Sequence, residues 1–311
     1  MLLVLTRRLA NVIPTLVAVI ALVFLLFSVL PGSFISAMNE DGRTSIDPAV
    51  MERMRKEMGL DDPLPERFAK YLAHTAVGDL GISFRTREPV TKLIGVRVWP
   101  SLKLVFVAMA FAITVGVTLG FFAALRPGSF LDTVSMVFAI SGLSLSQFWF
   151  GLMLMYLFAL QLKWLPSFGY GDGGLTHVIL PAVALGVGPM ALLARTTRAA
   201  VLEILNADFV RTARSKGMSE RRVVEWHVLR NALVLVITIV GLQFGSLMGQ
   251  AVVVEKLFAW PGIGSLMVDS VFQRDMPAVQ GCILMIVVFF LFINMLVDIA
   301  YVAIDPRIRY R

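Results

Sequence analysis

Leu9 to Leu30 is a run of 22 residues without a charged side chain, placed directly after Arg7 and Arg8. As a helix it spans roughly 33 Å, enough to cross the hydrocarbon core of a bilayer. Five further apolar runs follow, at about Trp99 to Leu125, Thr133 to Leu160, Val178 to Ala194, Leu229 to Val254 and Val279 to Ile304. Backbone at membrane depth must satisfy its own hydrogen bonds, which leaves helices or a closed barrel, and runs this long are helical. The expected fold class is therefore all-α, a polytopic membrane protein with six transmembrane helices. Leu30-Pro-Gly-Ser-Phe-Ile offers no clean small-residue cleavage site, so the first run is read as an uncleaved span.

Charge sets the expected orientation. Arg7, Arg8, Arg126, the loop from Arg195 to Arg230, and Arg307, Arg309 and Arg311 fall on one side of the six runs, and the basic side is cytoplasmic. Both termini are then cytoplasmic. The net charge of +7 is explained by these flanks, so no nucleic acid partner is implied. The stretch from Pro31 to Val98 carries ten basic and ten acidic residues and is long enough to translocate regardless of charge. Residues 1–30 are read as the N-terminus and first span, 31–98 as an external element, and 99–311 as a five-helix core with a basic loop at 206–228. Within the external element, Asp47 and Pro48 open a helix that Gly59 stops, and a second amphipathic piece surrounds Phe68, Tyr71 and Leu72.

Catalytic constellations are thin. His74, His177 and His227 fall outside, at the outer interface and inside, so they cannot build one metal site. Pro261-Gly-Ile-Gly264 lacks the lysine of a phosphate loop and is read as a turn. No catalytic, cofactor or metal residues are assigned. A membrane-embedded enzyme would need convergent titratable groups at one depth, which the sequence does not supply.

Features suited to transport are better represented. Gly241, Gly245 and Gly249 recur at i, i+4, i+8 in the fifth run, a face that lets another helix approach closely, within the subunit or across a subunit interface. Gln243, Ser246 and Gln250 lie beside that stripe, and amides at membrane depth are costly unless they face protein or water. The third run holds Ser141, Gly142, Ser144, Ser146 and Gln147. The fourth holds Pro181, Gly186, Gly188 and Pro189, so a kink or break is expected there. Ser146, Gln147, Gln243, Ser246 and Gln250 are candidate pathway lining, with close packing as the alternative. Asn294 and Asp298 share one face of the sixth run, and Asp298 is read as structural pairing or as a functional carboxylate.

The basic loop reads as helix, glycine turn, helix. Asp208 or Asn206 caps a first helix through Arg211, Thr212, Ala213 and Arg214 to Lys216, Gly217 ends it, and Ser219 caps a second. Val210-Arg-Thr-Ala-Arg-Ser-Lys-Gly217, followed by His227-Val-Leu229-Arg-Asn, resembles the Glu-Ala-Ala-x-x-x-Gly…Ile-x-Leu-Pro loop of binding-protein-dependent ABC importer permeases. Ala213, Gly217 and Leu229 match, whereas Arg211 and Thr212 replace the Glu and first Ala. Gly59-Leu-Asp-Asp-Pro, Gly78-Asp-Leu-Gly-Ile-Ser, Glu255-Lys…Trp260-Pro-Gly-Ile-Gly, Arg274-Asp-Met-Pro…Gln280-Gly and Asp305-Pro-Arg-Ile-Arg are similar to the peptide branch, dipeptide, oligopeptide and glutathione importers, with nickel importers nearby. Ser146 stands where many such permeases carry proline.

The resemblance implies a type I ABC importer permease fold in the cytoplasmic (inner) membrane. It implies a homologous second permease, two cytoplasmic ATP-binding subunits that hold ATP and Mg, and an external solute-binding protein, all working within membrane lipid. The coupling residues it points to are Asp208, Arg211, Thr212, Ala213, Lys216, Gly217 and Leu229. Ala213 is expected to let a partner surface approach. Peptide import is the implied function, nickel or another small solute the alternative, and a passive channel the rival of a different class.

Overall fold

The computed structural model describes residues 2–29 and 62–304. The helix expected between Asp47 and Gly59, the side chain of Asp298 and the basic end after Ile304 lie outside the described residues. The elements are α1 (Leu2–Val29), α2 (Leu64–Ala76), α3 (Val90–Leu125), α4 (Phe130–Ser144), α5 (Gln147–Leu154) and α6 (Leu175–Leu205). They continue with α7 (Asp208–Ser215), α8 (Glu220–Arg222), α9 (Arg230–Leu257), α10 (Ile263–Phe272) and α11 (Met276–Ile304). π-helical turns occupy Met155–Gln161 and Val223–Leu229. Among the described residues the only strand-like pairing is an isolated bridge between Ile82 and Pro89.

Four helices are long and apolar enough to cross a membrane: α3, α6, the continuous rod Glu220–Leu257, and α11. Among the described residues the bent pair Phe130–Gly142 and Gln147–Gln161 makes a fifth if it is one span, and α1 contributes a shorter apolar helix from Val12 to Ser28. The all-α polytopic expectation describes this chain.

The interruption is in a different span from the one expected. The third run is not one helix: it bends by 113° between α4 and α5, where Leu145 (φ −76, ψ 133) and Ser146 (φ −65, ψ 128) are both extended. Two consecutive extended residues end the i→i−4 ladder of α4, and Ser146 holds the φ that proline imposes although it is serine. The fourth run is unbroken. Pro181 and Pro189 both lie inside α6, a continuous helix of 31 residues. Each proline removes one donor, but α6 is the most enclosed of the four long spans, and packing outweighs that loss. Its neighbours come close enough to require glycine. A Cβ at Gly186 would stand 2.6 Å from the Ala108 carbonyl oxygen, and one at Gly116 would stand 2.5 Å from that of Met190. α3 also begins at Val90, well before Trp99, and carries Pro100 within it.

The described residues fall into two compact units within these bounds. One comprises Val98–Ser265 with Phe289–Arg311, the other Leu2–Arg97 with Leu266–Val288. In the second unit, Ile20 and Val23 of α1 pack with Phe68, Tyr71 and Leu72 of α2 and with Leu284. Phe24 lies 5.4 Å from Phe68 and 5.7 Å from Tyr71, ring to ring, and burial pushes the Tyr71 phenol up to about 12. Buried Ser83 donates to Asp275 Oδ2 at 2.5 Å, and the Phe84 amide donates to Asp275 Oδ1 at 3.1 Å. The Gly78–Ser83 and Arg274–Pro277 motifs, almost two hundred residues apart, therefore meet in one knot.

Candidate functional site

The first unit holds a helical platform. α7 is amphipathic: Val210 and Ala213 are buried against Ala200, Val201, Val223 and Val228, while Asp208, Phe209, Arg211, Thr212, Ser215 and Lys216 are exposed. Ala213 is thus 6 % exposed and faces this apolar pad of the same chain, not outward as expected for a residue that meets a partner. Neither expected cap acts. The N-cap is Ala207 with no side-chain bond, and Asn206 Nδ2 turns back to the Leu202 carbonyl at 2.9 Å. Ser219 takes the N-cap place of α8 without a side-chain bond.

The turn after α7 is tightly built. Met218 N–H donates to the Ala213 carbonyl at 3.3 Å and Gly217 N–H to that of Arg214 at 3.0 Å, with Gly217 at φ +79. This is the paired bonding of a Schellman C-cap, completed by Met218 packing on the apolar pad. Arg214 then bridges to α8, its Nε 3.0 Å and Nη2 2.6 Å from the two Glu220 oxygens. That guanidinium holds the Glu220 carboxyl below the usual glutamate range. Arg211 lies 3.7 Å from Asp208, Thr212 Oγ1 donates to the Asp208 carbonyl, Lys216 is exposed, and half-buried Leu229 closes the π-helical turn.

The second place is the break between α4 and α5. Ser146 is exposed there, and Gln147, the first residue of α5, donates from Nε2 to Gln250 Oε1 of α9 at 2.8 Å. Ser246 Oγ donates to the Gln243 carbonyl at 2.9 Å, and Gln250 Nε2 lies 3.5 Å from Ser246 Oγ. The structure therefore brings together residues read separately from two runs. Gly241 and Gly245 of the neighbouring stripe are buried against Val297 and against Asn294 and Phe290 of α11, which places that packing within the subunit. A Cβ at Gly249 would meet open space.

Three arrangements in this unit join residues far apart in the sequence whose pairing was not expected. Glu255, quoted above only within the Glu255-Lys…Trp260-Pro-Gly-Ile-Gly motif, is buried in the last turns of α9, accepting from Ser101 Oγ at 2.6 Å and from the Ser265 amide at 3.0 Å. Ser101 Oγ in turn accepts from Ile263 N–H at 2.8 Å, and Trp260 Nε1 donates to the Pro100 carbonyl at 2.9 Å. A Cβ at Gly262 would collide with the Glu255 carboxylate, so Pro261 and Gly262 make a bend shaped around that acid, while Ile263 and Gly264, expected in the same turn, already belong to α10. The available signal was a glutamate ending an apolar run just before Trp-Pro-Gly. Lys103 bonds the Gly173 carbonyl and sits over the Tyr170 ring at 5.7 Å. Asp132 of α4 is buried and takes Arg198 of α6 bidentately, at 2.5 Å from Nε and 2.8 Å from Nη2, while also accepting from the Gly128 amide. Among the described residues no three His, Cys, Asp or Glu side chains gather as a metal site.

Known proteins share this layout. Residues 116–310 match the family model described as the binding-protein-dependent transport system inner membrane component, and residues 1–105 match the N-terminal model of such membrane components. The glutathione transport system permease protein GsiC of Pectobacterium atrosepticum is 45% identical over 305 residues, covering 98% of both chains. That of Escherichia coli strain K12 is 42% identical over the same span. An inward-facing MetNI methionine ABC transporter structure matches at TM-score 0.58 and 19% identity over 68% of this chain and 96% of that one. An amino acid ABC transporter crystal structure with histidines gives 0.52 and 20%, over 68% and 94%. The chain belongs to the inner membrane components of binding-protein-dependent transport systems, as a non-catalytic permease subunit of an ABC importer.

Proposed function

We propose that this permease imports short peptides, glutathione-like tripeptides included, across the cytoplasmic membrane as one of two homologous subunits. Its termini are cytoplasmic and the stretch from Pro31 to Val98 is external. The identity of 42–45% over nearly the whole chain to glutathione permeases carries the solute assignment. Two ATP-binding subunits, which hold ATP and Mg, seat on the exposed face of α7, and a solute-binding protein delivers from outside. Asp208, Arg211, Thr212 and Lys216 meet the ATPases, while Ala213 and Gly217 fix the angle of that face from beneath. The amides of Gln147, Gln243 and Gln250, with Ser146 and Ser246, face the solute or its water, since polar groups at this depth need such partners. Alternating access requires two states that the ATPases contact differently, and a short helix seated in a cleft supplies that difference.

The test is uptake of labelled glutathione, a labelled dipeptide and nickel by cells carrying the complete transporter. Peptide uptake is expected. Nickel accumulation without peptide uptake would overturn the solute assignment. Orientation is read by an impermeant thiol reagent on cysteines placed at Arg85 and Lys216. Native Cys282 is buried, so the background is silent. Labelling at 216 but not 85 in intact cells would reverse the orientation.

A further inference from the structure

The arginines between α7 and α9 divide into two classes. Arg211, Arg214 and Arg221 each have a carboxylate, in Asp208, Glu220 and Glu225. Arg222 and Arg230 are exposed and make no ion pair among the described residues. They stand eight residues apart with Trp226 midway, and that indole is 65 % exposed. Four-residue spacing through a helical and π-helical stretch puts the three on one side of the rod Glu220–Leu257.

Their position along the rod identifies what they meet. From Asn231 to Val254 the rod has no charged residue, so Arg230 stands at the boundary of the hydrocarbon. Leu233, Val234 and Leu235, the next turn, are also exposed. A guanidinium at the boundary, an indole in the headgroup layer, a second guanidinium further out and apolar side chains just inside match one chemistry. That chemistry is a phosphate-bearing anionic headgroup with its acyl chains attached. A protein partner would have to cover the apolar turn and the indole while supplying two carboxylates. Lipid supplies both halves at once.

We propose that Arg222, Trp226 and Arg230 form a binding site for an anionic phospholipid on this subunit. The inference depends on the chain crossing the bilayer and is indifferent to the solute carried. Guanidinium groups bind the phosphate in bidentate fashion and Trp226 fixes the depth of the headgroup. The widened π turn holds the indole between the two arginines.

The complete transporter is reconstituted in phosphatidylcholine discs and titrated with phosphatidylglycerol bearing brominated acyl chains, which quench nearby indoles. The Trp226→Phe variant isolates the contribution of Trp226. Half-quenching is expected at a mole fraction about tenfold lower for brominated phosphatidylglycerol than for brominated phosphatidylcholine. Arg222→Gln with Arg230→Gln should abolish this preference and leave unselective quenching, whereas Arg221→Gln should preserve it. Solute-stimulated ATP hydrolysis, measured in phosphatidylcholine alone, reports whether each variant is intact independently of the lipid. Three results would each overturn the site: a preference surviving in the double variant, no quenching of Trp226 by either lipid, and a preference erased by inorganic phosphate, which would assign it to free phosphate.

Discussion

The Glu255 knot and the α7 platform both rest on acidic side chains, yet they are built in opposite ways. Glu255 is 1 % exposed, is held by Ser101 and the Ser265 amide, and lies against a glycine that leaves no room for another carbon. Glu220 on the platform is exposed, and its bidentate partner Arg214 is exposed as well. A buried carboxylate is costly to strand, because every donor aimed at it loses its partner with it. An exposed pair is worth little and can be exchanged for contacts with another protein at small cost. The first arrangement suits a fixed scaffold, the second a surface that must bind and release.

Substitutions can break this contrast in order of expected size. Glu255→Ala should destabilise by about 3 kcal/mol, and Gly262→Ala should do comparable harm by displacing the carboxylate. Thermal unfolding of the solubilised subunit would measure both, and a loss under about 1 kcal/mol would show that the knot is peripheral. Asp132→Asn keeps an acceptor for Gly128 but loses the charge facing Arg198, at about 1–3 kcal/mol in the same assay. Gly217→Val forces a β-branched residue to φ +79, at about 1–3 kcal/mol confined to the platform. Its expected signature is a normally inserted subunit with lost ATPase docking or lost solute-stimulated hydrolysis, and wild-type stimulation would reduce the platform to a spacer. Gln250→Leu strands Gln147 and should lower uptake with assembly intact, whereas unchanged kinetics would assign the amides to packing.

The smallest effect belongs to Arg214→Gln, about 0–1 kcal/mol, because the pair is exposed. Its sign with pH is fixed. The Glu220 pKa is lowered in the folded chain, so the contribution is present above the ordinary glutamate range and fades as pH falls through the lowered value. An acid titration of docking in low salt should show that loss, and high salt should mask it.

Much of the fold was legible because lipid imposes one rule on the whole chain: uncharged runs of membrane length are helices. Local rules did less well wherever packing decided. Two prolines left α6 unbroken because neighbouring helices enclose it, while Leu145 and Ser146 broke the third run with no proline at all. The platform's helix–glycine–helix pattern could be read from Gly217, but the inward direction of Ala213 required the pad formed by Val201, Val223 and Val228. Glu255 was hidden because its partners, Ser101 and Ser265, are brought to it by folding, and no local pattern announces them.

The continuous rod Glu220–Leu257 has a mechanical consequence. Thirty-eight helical residues extend about 57 Å, with the platform at one end and the Glu255 knot near the other. If the knot is the fulcrum, Glu220 sits on an arm of about 52 Å and Gln250 on one of about 8 Å. A swing of about 5 Å at the platform then moves Gln250 by under about 1 Å. That gearing suits the Gln147–Gln250 contact, since 2.8 Å is a good hydrogen bond and a lengthening of well under one ångström is enough to break it. A large, loosely held stroke at one end becomes a small, forceful one at the other.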